Sequence, residues 1–209
     1  MQTELIFIID RSGSMSGFEE DTIGGYNSLI DKQKLEEGEA FVTTVLFDNE
    51  YDIICDHQNL NDVTHMDDKT YFPRGTTALL DAIGKTINLV KGRLAVMEEK
   101  PRVMFVITTD GLENASTEYS KPMIEKLIDE QQKEDWIFMF IGANMDAVKE
   151  AGTIGIKSAY SRTYTQSSAG TSSVYNSVSK AFSKARKEAY CVSMDVLQEE
   201  ISSALDEIE

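Results

Sequence analysis

Four short runs along the chain are almost wholly apolar: Leu5 to Ile9, Phe41 to Phe47 interrupted by Thr43 and Thr44, Val103 to Ile107, and Trp136 to Ile141. None alternates polar with apolar residues, so each predicts a strand covered on both faces, as in a parallel sheet sandwiched by helices. The segments between them repeat with helical spacing instead. Ile23, Tyr26 and Ile30 share one face, as do Leu79, Ile83, Ile87, Val90, Leu94 and Met97, while Met123 pairs with Leu127 and Ile124 with Ile128. This β-α-β-α order predicts an α/β fold with a mostly parallel central sheet and helices on both faces. Tyr51 to Cys55 is a further strand, and the turn formers Asp48 and Asn49 before it predict an antiparallel hairpin at the sheet edge. Ser120 and Pro122 mark the start of a helix, and Pro101 is expected to stop the long helix before the third strand.

Further along, Ser158 to Thr165 reads as a last short strand and the polar stretch Gln166 to Ser173 as a loop. Val174, Tyr175, Val178, Ala181, Phe182 and Ala185 then repeat helically, with Lys180, Lys184, Arg186 and Lys187 in the last turns, where the helix dipole favours cations. A final segment places Val192, Val196, Ile201, Leu205 and Ile208 on an apolar stripe. Its other side is acidic, with Asp195, Glu199, Glu200, Asp206, Glu207 and Glu209. The expected organisation is one domain over residues 1–190, carrying a docked acidic amphipathic helix over residues 191–209 that is too short to bury a core of its own.

Composition narrows the class. At 209 residues, 41% hydrophobic and 27% charged, the chain suits a single globular domain. Thirty-six acidic residues against twenty basic ones give a charge of −16, which repels phosphate backbones and anionic lipid. Neither nucleic acid nor a membrane is an expected partner. No apolar run approaches the roughly 20 residues a bilayer needs, and a strand pattern that begins by Glu4 leaves no room for a leader, so a cytoplasmic monomer is expected. Cys55 and Cys191 are too few and too far apart for a disulfide framework or a CxxC metal site and read as reduced thiols.

The chemistry concentrates where the first strand ends. Ile9 runs into Asp10-Arg11-Ser12-Gly13-Ser14, a carboxylate and two hydroxyls on alternate residues at the carboxyl end of a buried strand, where open α/β sheets keep their ligand sites. Three oxygen side chains at that spacing can converge on one hard cation, magnesium above all. Asp, Ser and Gly are also ordinary loop and cap residues. Two more segments add oxygens at the same sheet edge: Gly75-Thr76-Thr77 before the longest helix, and Thr108-Thr109-Asp110-Gly111 directly after the third strand.

In this order the residues resemble the von Willebrand factor A domain and its metal-ion-dependent adhesion site, whose motif Asp-x-Ser-x-Ser, then Thr, then Asp is matched by Asp10, Ser12 and Ser14, by Thr77, and by Asp110. The resemblance spans about residues 3 to 165 in element order. Thr77 is preferred to the alternate Thr76 because the family's threonine precedes a small helical residue by about five positions, here Ala82. Compact bacterial and phage members, some associated with tellurite resistance, look most similar in length and in the wording Arg-Ser-Gly-Ser-Met. The resemblance implies a Rossmann-like fold and a bound Mg2+, with Mn2+ or Ca2+ as alternates. It further implies that Ser12 and Ser14 coordinate directly, Thr77 directly or through water, and Asp10 and Asp110 mostly through water. One position stays open for an Asp or Glu of a partner protein. The expected function is metal-dependent protein binding without catalysis.

Two rival readings are weighed. A strand-end Asp with magnesium also begins haloacid-dehalogenase-type phosphotransferases, with Asp10 as nucleophile. Those enzymes need a second acid two residues on, and here Ser12 stands there. The other rival is an adaptor that binds through its C-terminal helix and keeps only a vestigial metal site. The remaining chemistry-bearing residues read blandly. His57 and His65 read as solvated loop residues, the methionines as core, Glu19-Glu20-Asp21 and Glu36-Glu37 as solvated faces, and Asn114-Ala115-Ser116 as a glycosylation pattern of no consequence in the cytosol.

Overall fold

The computed structural model describes residues 2–187 and 193–208, so Cys191, Val192 and Glu209 lie outside the described residues. Its strands are β1 (Thr3–Asp10), β2 (Ala40–Phe47), β3 (Tyr51–Asn59), β4 (Arg102–Thr109), β5 (Ile137–Ala143) and β6 (Ser161–Tyr164). They form one sheet in the order β3-β2-β1-β4-β5-β6. All neighbouring pairs run parallel except β2 with β3, the antiparallel hairpin at one edge. The helices are α1 (Glu19–Lys34), α2 (Leu79–Leu94), α3 (Lys121–Gln132), α4 (Ala147–Gly152), α5 (Ser168–Lys187) and α6 (Met194–Leu205). The mostly parallel sheet with one antiparallel edge strand is the architecture that the apolar runs predict.

β1 and β5 are buried along their whole length, which is why their sequences show no alternation. From β1 the chain builds outwards to β2 and β3, then crosses back to β4 and continues to β5 and β6. The order therefore reverses between β1 and β4. Their carboxyl ends diverge into loops that leave in opposite directions, and a crevice opens between them. α1 packs on α5, which carries α6, and α2 packs on α3. The α1–α5 contact is close: a Cβ on Gly25 would stand 2.1 Å from the Tyr175 ring, so only glycine fits there.

Several local expectations need correction. The stretch read as a loop from Gln166 to Ser173 is helical from Ser168 onwards. The Ser167 hydroxyl accepts from the Gly170 amide at 3.0 Å and caps the helix, while a Cβ on Gly170 would meet the Thr165 carbonyl at 2.1 Å. Small polar residues thus permit a tight helix start that their propensities conceal. The long helix stops at Leu94 rather than at Pro101, because Val96 beyond it is exposed and has nothing to cover. Trp136 lies just before β5 and is buried, stacked on Phe105 at 5.6 Å.

His57 is not a solvated loop residue. It lies in β3, stacks on Phe41 with ring centroids 4.3 Å apart, and its Nδ1 is 2.8 Å from Oε2 of the fully buried Glu4. Arg186 is buried too. Its guanidinium donates to the carbonyls of Gln33 at 2.5 Å and Gly38 at 2.8 Å, capping the end of α1 instead of its own helix.

α6 buries Leu197, Ile201, Ala204 and Leu205, positions i, i+4, i+7 and i+8, and leaves Val196 44% exposed. The inward stripe therefore runs through Leu197 rather than Val196. Leu197→Ala is expected to destabilise the protein by about 2–5 kcal/mol and Val196→Ala by under about 0.5 kcal/mol in urea melts. Equal effects would mean that the helix is turned otherwise.

Candidate metal centre

β1 ends at Asp10, whose side chain is fully buried. Its Oδ1 accepts from the Ser12 amide at 2.6 Å and its Oδ2 from the Thr109 hydroxyl at 2.6 Å. Burial dominates over these bonds and raises the carboxyl from 3.8 to about 6, with Asp110 adding to the rise. The Tyr71 hydroxyl donates to the Asp10 carbonyl at 2.8 Å and fixes the strand end from below.

A single turn of tight helix over Gly13–Met15 then curls the chain back over the sheet edge. That curl brings the Ser12 and Ser14 hydroxyls within 3.1 Å of each other, and Ser14 donates to Asp110 Oδ1 at 2.6 Å. Ser12 is 2% exposed, whereas Ser14 faces solvent. Thr77 is also buried, and a Cβ built on Gly111 would lie 3.0 Å from its Oγ1 and 3.5 Å from the Ser14 Oγ. All five oxygen-bearing residues singled out in the sequence, Asp10, Ser12, Ser14, Thr77 and Asp110, are thus gathered at one crevice between the β1 and β4 ends. Thr76 is not among them. It is exposed, with its amide 3.4 Å from Asn49 Oδ1.

Other residues hold the crevice in shape. Arg11, between the ligand-bearing positions, is buried and donates to Asp48 at 3.1 Å and to Asp52 at 2.5 Å. Arg74 donates to the same Asp48 oxygen at 2.8 Å and pairs with Glu50, so the hairpin turn is a strut for two loops. Gly75 is needed where these loops meet: its φ is +67°, and a Cβ there would stand 1.9 Å from Asn49 Oδ1. Its carbonyl accepts from the Gly13 amide at 3.2 Å. Asn114 clasps Thr77 through both its side chain at 3.0 Å and its backbone amide at 3.1 Å, which gives the supposed glycosylation asparagine a structural duty. Gln166 donates to Asp110 Oδ2 at 2.9 Å.

Sequence reasoning passed over Thr109, Gln166, Asn114, Arg11 and Tyr71. Only Arg11 and Thr109 carried a signal, their adjacency to the motif; the others reach the site by tertiary packing.

The donor set is two carboxylates and three hydroxyls, all hard oxygen, which fits a magnesium-class ion and lacks the nitrogen or sulfur that softer metals favour. Among the described residues no group of three or more His, Cys, Asp or Glu is placed to hold a metal, so a site here must draw on hydroxyls.

The model of the von Willebrand factor type A domain matches residues 4–181. The chain belongs to this family. No curated protein matches it by sequence. Among solved structures it is similar to the von Willebrand factor domain of the type V pili tip protein Mfa5 from Porphyromonas gingivalis, with a TM-score of 0.65 at 10% identity, covering 88% of this chain and 96% of that one. It is also similar to proximal thread matrix protein 1 from the mussel byssus, solved with a zinc-occupied adhesion motif, with a TM-score of 0.62 at 18% identity and 87% of this chain covered. The pilus adhesin SpaC from Lactobacillus rhamnosus GG gives a TM-score of 0.65 at 10% identity over 88% of this chain and 30% of its own. The domain spans about half the length of the mussel protein, 46% of that chain. At these identities the likeness is one of fold.

The burial of Asp10 has a measurable consequence in metal-free protein. In EDTA, unfolded Asp10 releases its proton near 3.8 while the folded residue holds it to about 6. Between those values the native state binds more protons than the unfolded one, so this residue's contribution to stability falls as pH rises. Asp10→Asn is expected to lack that loss. Melting temperatures of the two proteins should therefore diverge from about pH 4 to about pH 6 in favour of the variant; parallel curves would refute the assignment.

Proposed function

We propose that this domain binds a protein partner through a divalent ion held by Asp10, Ser12, Ser14, Thr77 and Asp110, and that the ion accepts an Asp or Glu side chain from that partner. The observation that carries the reading is the gathering of three hydroxyls and two carboxylates from three separate loops at the crevice where the strand order reverses. Bound there, a magnesium ion supplies an electrophile with an open position; Mn2+ or Ca2+ would serve similarly, and the zinc in the mussel protein is a further precedent for a divalent ion. With three neutral hydroxyls among five ligands, the ion would stay electrophilic enough to accept an external carboxylate. The chain's own residues orient that ion. Thr109 and the Ser12 amide aim Asp10, and Gln166 holds Asp110.

A phosphotransferase role for Asp10 has no support in this arrangement. Its carboxylate is fully buried and both oxygens are engaged, whereas a nucleophile must reach its substrate. Nor does the last helix favour an adaptor reading, since its apolar positions are spent on the domain and Val196 alone stays exposed. On the metal-binding reading the domain and α6 act as one unit, a monomeric binding module without catalytic activity. We further place the domain in the cytosol, a reading that rests on the sequence alone; the buried Cys55 thiol, pushed up to about 11 by burial, is a poor nucleophile.

Melting with and without magnesium tests the site. An ion that binds only the native state at a hundredfold excess over its Kd stabilises by about 2.7 kcal/mol. That gain should vanish in Asp10→Ala and in Ser12→Ala with Ser14→Ala, and shrink in Thr77→Ala, with Thr76→Ala behaving as wild type. A magnesium shift unchanged in the double serine variant overturns the reading.

A further inference from the structure

We infer that the metal face recognises an acidic residue together with a bulky apolar residue beside it in the partner, and that Phe72 and Leu112 receive that apolar residue. The inference rests on the metal-binding reading above and extends it from the carboxylate to its neighbour.

Phe72 is 42% exposed and Leu112 57% exposed. Isolated exposed hydrophobics are ordinary on any surface, and Leu35 and Val96, at the far ends of α1 and α2, are of that kind. Phe72 and Leu112 differ in place. One lies on the loop that leads to Thr77, the other directly after Asp110 and Gly111, and Asn114 stitches those two loops together through its bonds to Thr77. Phe72 also lies against Arg11, the residue between Asp10 and Ser12, and Leu112 stands two positions after Asp110, so each adjoins a ligand-bearing loop.

Phe72 is also held. The Arg74 guanidinium lies 5.1 Å from its ring centroid and that of Arg11 lies 5.9 Å away, and both arginines are anchored on the fully buried Asp48. An aromatic side chain fixed in this way loses little entropy on contact.

Charge explains why apolar contact is needed. Around the crevice Asp10, Asp48, Glu50, Asp52 and Asp110 face only Arg11 and Arg74, on a chain of net charge −16. A divalent ion does not outweigh that excess, so an acidic segment gains little from long-range attraction. Beyond the one metal–carboxylate bond, affinity has to come from area removed from water, and on the two ligand loops the bulky exposed side chains able to supply it are Phe72 and Leu112.

The test uses the full chain and immobilised amidated pentapeptides with a central Glu, whose flanking residues vary among Gly, Ser, Lys, Leu and Phe, in magnesium and in EDTA. Peptides with Leu or Phe beside Glu should bind at least about fivefold tighter than those with Gly or Ser, and only in magnesium. Phe72→Ala with Leu112→Ala should erase this preference while the magnesium-induced melting shift stays intact, and Phe72→Leu with Leu112→Met should restore most of it. Magnesium-dependent capture without any preference for an apolar neighbour, or an unchanged preference in the double alanine variant, overturns the inference and leaves the metal reading standing. Absence of a magnesium melting shift in the wild-type chain overturns both.

Discussion

Everything at the site follows from burying a carboxylate at the end of β1 without giving it a cation. β1 carries an acid near each end, Glu4 and Asp10, and both are fully buried between β2 and β4. Their compensation differs. Glu4 receives Arg93 at 2.6 Å, His57 at 2.8 Å and Thr43 at 3.2 Å, a set that includes a permanent positive charge. Asp10 receives neutral donors alone: the Ser12 amide, the Thr109 hydroxyl and the Ser12 side chain. Desolvation of an unpaired carboxylate is expensive, and neutral donors offset only part of it, which is why the group holds its proton up to about 6. At one end of the strand the acid is paired with an arginine, and at the other it is held by neutral donors alone.

The surrounding architecture turns the adjacent arginine elsewhere. Arg11 directly follows Asp10 and stands near enough in sequence to be drawn towards it, yet its guanidinium is turned to Asp48 and Asp52. Removing Asp48 would leave Arg11 buried without its main partner and free to seek the acid next door. The same aspartate binds Arg74 and, through its carbonyl, the Ala78 amide at 2.9 Å at the start of α2. So the hairpin turn of the edge strand, far from the site in sequence, sets both the direction of the first loop and the entry of the helix that directly follows Thr77.

This division explains what could be read from the chain and what could not. The strands were visible because burial on both faces writes itself as an unbroken apolar run, and Asp10, Ser12, Ser14, Thr77 and Asp110 were visible because each follows such a run or precedes a helix. Gln166 and Asn114 were hidden because they reach the site across the sheet edge, a relation with no sequence period. The place of His57 is hidden for a related reason: its partner Glu4 lies 53 positions away. The helix start at Ser168 was missed because close approach to Thr165 rewards glycine and serine in a way that single-residue propensities do not register. Leu197 displaced Val196 because α6 has to fit a specific groove on α5, and a stripe drawn with steps of four and five residues overlooks the tighter inward face.

The choice of hydroxyls over carboxylates has a further consequence for how such a site would behave. A crevice of four or five acids would hold a divalent ion tightly and neutralise it, leaving nothing for an outside ligand. Here Ser14 donates to Asp110 and Thr109 to Asp10, so hydroxyls from two separate segments orient both aspartates. A bound ion would take lone pairs of the Ser14 oxygen while its proton stays donated to Asp110, so the same bond would serve to aim both groups. On the proposed reading, holding of the metal and capture of a partner's acid are then coupled, since hydroxyl ligands leave the ion electrophilic towards an outside carboxylate and the ion gives a strongly acidic surface a point at which to grip another acid.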